Sequence, residues 1–132
     1  MKGKFTMPEI GTKGLLSEIV TDDKTAAAMG SGTLPVYATP AMIALMEKTA
    51  MLSVAPSLGE NEATVGTLLE ISHLAACGTG TKVTCESELV EIDRKRLVFN
   101  VSAYNGETLI GKGRHERFII NTVKFMEKVN SK

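Results

Sequence analysis

Two side chains in this sequence pair a reactive type with a position where a hydrocarbon would pack better. His73 lies in GTLLEISHLAA, where strand alternation groups it with Leu69, Ile71 and Ala75 and sets Glu70 and Ser72 on the other face. An imidazole aimed at the dry side is either a general base for a hydroxyl or water, or a structural histidine bonded to a backbone carbonyl. Glu47, in MIALMEKTA, sits one helical turn from both Ile43 and Met51. A buried carboxylate is costly unless paired, so Glu47 must meet a partner or reach water beside Lys48. A glutamate and a histidine directed into one helix–sheet seam would shift each other's pKa and act as a base and its orienting group.

Thr39 precedes Pro40, the arrangement of an N-cap hydroxyl followed by proline at the first helical position. That role needs no chemistry, yet the start of a buried helix also offers free N–H groups and positive potential to a developing oxyanion. Gly66 opens the His73 strand, where the lack of a side chain allows either a bulge or close approach of a ligand to the backbone. His115, in the run RHER, reads as part of a solvated, charged strand end. Cys77 and Cys85 have no CxxC spacing and no histidine companion, so reduced thiols are expected and no metal site. No phosphate loop, dinucleotide fingerprint or nucleophile elbow occurs, and no cofactor is expected.

The elements that must hold these residues follow from the periodicity. Gly14 to Val20 reads as a strand, and Asp22 to Met29 as a short helical piece stopped by Gly30 and Gly32. A helix is expected from Thr39 to about Val54, ending before Pro56. It is apolar nearly all round, which predicts enclosure on most sides. From Val65 the period becomes two. Val83, Cys85, Ser87 and Leu89 share one face, as do Leu97, Phe99, Val101 and Ala103. Leu109 to Ile120 is a further strand, and Thr122 to Val129 a short closing helix. Turns at Gly78-Thr79-Gly80, Asp93-Arg94-Lys95 and Asn105-Gly106 suggest consecutive hairpins, hence a four-stranded antiparallel meander curled around the long helix. The expected class is α+β with a hot-dog arrangement.

A chain of 132 residues makes a single domain, 1–132. Lys+Arg and Asp+Glu number 15 each, so no global field draws in nucleic acid or an anionic membrane. No apolar run approaches the roughly 18 residues a membrane span needs, and MKGKFTMPEIG has no signal-like core, so a cytoplasmic location is expected.

VYATPAMIALMEKTA, GTLLEISHLAA and VSAYNGETLIGKGRHERFII together resemble the fluoroacetyl-CoA thioesterase branch of the hot-dog acyl-CoA thioesterases. The resemblance covers most of Val36 to Phe125. It implies an acyl-CoA substrate, a catalytic trio of Thr39, Glu47 and His73, and Gly66 as the glycine whose backbone borders the acyl group. It also implies a homodimer joined edge to edge, with its active sites near the interface. The fluoroacetate-specific pattern has phenylalanines just upstream of its threonine, whereas this chain reads MGSGTLP there. The expectation is therefore a mobile, sparsely covering loop and a thioesterase for short-to-medium acyl-CoA thioesters. A silent acyl-CoA or small-ligand binding module on the same fold is the alternative, and an enoyl-CoA hydratase a more distant one.

Overall fold

A computed structural model describes residues 7–131; the stretch MKGKFT, read above for its lack of an apolar run, lies outside them. The elements in chain order are β1 (Lys13–Ile19), a 3-10 turn (Asp22–Lys24), α1 (Ala26–Met29) and α2 (Thr39–Val54). After a second 3-10 turn (Ala55–Ser57) come β2 (Glu62–His73), β3 (Lys82–Asp93), β4 (Arg96–Asn105), β5 (Thr108–Asn121) and α3 (Thr122–Asn130). One antiparallel sheet in the order β1-β3-β4-β5-β2 wraps α2, which is the hot-dog fold. Among the described residues no helix is long and apolar enough to cross a membrane.

The alternation in β3 and β4 is realised as read. Val83, Cys85, Leu89, Leu97, Phe99 and Ala103 are completely buried, and they pack with Met42, Met46 and Ala50 of α2 into one core. Removing such faces from water is the main stabilising contribution, at about 25 cal/mol per Å² of apolar surface. Cys77 and Cys85 are free and buried, and burial pushes the Cys85 thiol up to about 11.

Two expectations about the elements are corrected. The meander comprises only β3, β4 and β5, because β2 pairs with β5 and not with β3. Residues 74–81 carry the chain across the sheet instead of turning it back, and Val36 forms an isolated bridge with Gly78 on the way. A sheet must close around both sides of a helix, so strands adjacent in sequence end up on opposite edges. The second correction concerns α2. Ala41, Met42, Leu45, Met46, Thr49, Ala50 and Val54 are buried, but Ala44, Lys48 and Leu52 are exposed. The sheet encloses most of the helix, and the narrow stripe of Ala44, Lys48 and Leu52 stays open.

Candidate active site

Pro40 fixes the start of α2, and the first helical residue is Thr39, not the cap, which is Ala38. The Thr39 hydroxyl is therefore released from the capping role. It lies 2.7 Å from His73 Nδ1, bringing together the first turn of α2 and the last residue of β2. The other ring nitrogen, Nε2, is buried and has no hydrogen-bond partner among the described residues. Burial lowers the His73 pKa from its ordinary value, and the Ala75 backbone offsets only part of that. The lowered pKa favours a neutral imidazole, and in the tautomer with Nδ1 unprotonated that nitrogen accepts from the threonine hydroxyl, an arrangement suited to a general base and its proton donor.

Glu47 is not part of that pair within the chain. It lies eight positions along α2 from Thr39, about 12 Å along the axis. The carboxylate instead meets Arg117 of β5, with Oε2 3.7 Å from Nη1. Gly66 completes this second group. A Cβ on Gly66 would lie 2.7 Å from Glu47 Oε2, 3.3 Å from His115 Cε1 and 3.5 Å from Arg117 Nη1. Glycine is what lets the β2 backbone run this close to the carboxylate. A bulge between Gly66 and Leu68 marks the same spot, the bend anticipated for a strand glycine.

The reading of RHER as a solvated strand end fails for half of it. His115 is 0% and Arg117 6% exposed, whereas Arg114 and Glu116 take the outer face and pair with each other at 2.7 Å. Period-two alternation carried this signal, since His115 and Arg117 share parity with Ile119. Charge density in the run hid it. Burial, with Arg117 close by, holds the His115 pKa below the ordinary value; the histidine that shares the space beside Gly66 with Glu47 is His115, not His73.

The segment upstream of Thr39 is more tightly tied than its glycines suggest. Ala26 N–H donates to the Val36 carbonyl at 2.8 Å, Ala27 to Leu34 at 3.0 Å, and Ser31 to Ala26 at 3.1 Å. Gly30, at φ 76°, ends α1 in the left-handed conformation that glycine adopts without strain. The loop is folded back on itself, with Met29 and Leu34 exposed.

Comparisons with known proteins bear on the same residues. A family model described as fluoroacetyl-CoA-specific thioesterase matches residues 20–123. The fluoroacetyl-CoA thioesterase of Streptantibioticus cattleyicolor is 40% identical over 97 residues, covering 74% of this chain and 70% of its own. A solved structure of the fluoroacetyl-CoA thioesterase FlK superposes with a TM-score of 0.88 at 34% identity, covering 95% of this chain and 97% of that one. A thioesterase superfamily member from Thermus thermophilus gives a TM-score of 0.86 at 31% identity, covering 95% and 92%. The family match runs from before α1 to the start of α3 and spans Thr39, Glu47, Gly66 and His73. This chain belongs to the fluoroacetyl-CoA-specific thioesterase family, a family of hot-dog thioester hydrolases.

Proposed function

We propose that the protein hydrolyses short-to-medium acyl-CoA thioesters with Thr39, Glu47 and His73, and that Gly66 borders the acyl group. The observation that carries this is the 2.7 Å contact between the Thr39 hydroxyl and His73 Nδ1. His73 takes the hydroxyl proton as Thr39 Oγ1 attacks the acyl carbon. The tetrahedral intermediate then collapses, the C–S bond breaks, and the CoA thiolate receives the proton from His73. Water, deprotonated by the same imidazole, cleaves the acyl-threonine ester and returns Thr39 to its hydroxyl form. Backbone N–H groups at the start of α2 or beside Gly66 receive the oxyanion. In a single turnover an acyl group should be trapped on Thr39. An adduct on Glu47 would instead make that carboxylate the nucleophile, and normal thiol release with no adduct would make water the group that His73 deprotonates.

The working unit in this reading is a homodimer. Among the described residues β2 pairs only with β5, so its twelve residues of backbone present an unpaired edge, bordered by the exposed Leu69 and Leu74. A two-fold axis beside Leu69 and Glu70 would pair two β2 edges antiparallel and set Gly66 opposite the partner's His73. Each site would then combine Thr39 and His73 of one subunit with Glu47 and Gly66 of the other. The buried, unpartnered Nε2 of His73 supports this assignment, because the partner's Glu47 could accept its N–H and stabilise the imidazolium.

A further inference from the structure

We infer that His115 is a positioning residue for the reaction, acting through Arg117 on Glu47. The inference rests on the assignment of Glu47 to the chemistry. His115 is wholly buried, lies 6.1 Å centroid to centroid from the Phe99 ring, and has a partner at each nitrogen. Nδ1 is 2.9 Å from the Leu68 carbonyl, and Nε2 is 3.1 Å from Arg117 Nη1. These partners fix the tautomer. A carbonyl only accepts, so Nδ1 carries the proton; a guanidinium only donates, so Nε2 must accept.

The remaining edges of Arg117 are also engaged. Its Nε donates to Thr64 Oγ1 at 2.8 Å and its Nη2 to the Thr64 carbonyl at 2.9 Å. Three acceptors therefore hold the guanidinium plane in one orientation, and Nη1 is the nitrogen left facing Glu47. The sequence of contacts runs from the Leu68 carbonyl, at the β2 bulge, through His115 and Arg117 to the Glu47 carboxylate beside Gly66. An apolar side chain at 115 would fill the core equally well. It would supply no acceptor for Nη1, leaving Thr64 alone to hold the guanidinium and Nη1 without the contact that aims it at Glu47.

The test compares two polar replacements of similar character, each alone and combined with Glu47→Gln. In His115→Gln the longer amide keeps an acceptor at the Nε2 position; in His115→Asn the shorter amide keeps only the donor to Leu68. Thermal melts establish that all variants fold, and kcat and KM are measured with a saturable acyl-CoA substrate. His115→Asn should lower kcat by about tenfold to a hundredfold with KM within about twofold, the range of coupling seen within one contact network. His115→Gln should recover most of that loss. In the Glu47→Gln background the two replacements should become equivalent, because the group they act on is gone. The inference is overturned if both replacements behave alike in the wild-type background, if the loss appears in KM alone, or if His115→Asn costs as much in the Glu47→Gln background as in the wild type. Wild-type turnover in Glu47→Gln itself would instead remove the prior assignment of Glu47, and this inference with it.

Discussion

Thr39 and His73 were each readable as candidates, and the structure brings them into contact, though Thr39 not in the capping position its sequence suggested. The Thr-Pro pair correctly marked the start of a helix, yet the hydroxyl turned out to be released from capping and directed at the imidazole. Local sequence cannot distinguish these uses, since both need a small hydroxyl before proline. The parity argument placed His73 on the inner face, and the same argument applied to RHER would have found His115 and Arg117. What no single-strand pattern can convey is that Glu47 and His73 sit in separate groups within one protomer. That separation yields a pH prediction with a definite sign. Burial disfavours the charged imidazolium and lowers the His73 pKa, whereas a nearby carboxylate from the partner would favour the charge and raise it. The acid limb of kcat/KM, which reports the base in the free enzyme, should therefore move to lower pH in Glu47→Gln than in the wild type. Superimposable limbs would mean that Glu47 does not face His73 in the assembled enzyme.

At the level of elements, the long helix, the alternating strands and the Asn105-Gly106 turn were all readable from periodicity and turn chemistry. The crossover between β2 and β3 was not, because strand pairing across the sheet is decided by closure around α2 and leaves no local mark in residues 74–81. The segment from Ala28 to Leu34 is a similar case. Its glycines suggested a mobile loop, but three backbone hydrogen bonds fold it into a compact turn with no aromatic side chain. In the proposed enzyme, a compact turn of small residues would give the acyl pocket a fixed rim and no ring to cover it. A hydrophobic pocket alone separates substrates differing by a methylene-sized group by about 1–3 kcal/mol. Acetyl-CoA and fluoroacetyl-CoA should accordingly be processed with kcat/KM values within about a hundredfold of each other. Measurement over acetyl-, fluoroacetyl-, butyryl- and phenylacetyl-CoA checks this. A preference for fluoroacetyl-CoA of several orders of magnitude would place discrimination outside the Ala28 to Leu34 segment.

For the whole molecule, the proposed homodimer would pair the exposed β2 edge with that of a second copy and so complete each site. Mixing subunits tests that directly. When inactive His73→Ala and Glu47→Gln chains are refolded together, a composite site predicts recovery of about a quarter of wild-type activity. Half the dimers would be mixed, and each mixed dimer would hold one intact site of two. A site built wholly within one protomer predicts no recovery. The claim on which the account depends most is narrower: His73 drives hydrolysis of a CoA thioester. The decisive measurement is free-thiol release from a panel of acyl-CoAs by the wild-type protein and by His73→Ala, with acyl-CoA binding followed in parallel. The account predicts thiol release by the wild type, a fall of roughly two to four orders of magnitude in the variant, and binding retained in both. Binding without thiol release would make the protein an acyl-CoA binding module, and near-normal turnover in His73→Ala would reduce His73 to a structural histidine.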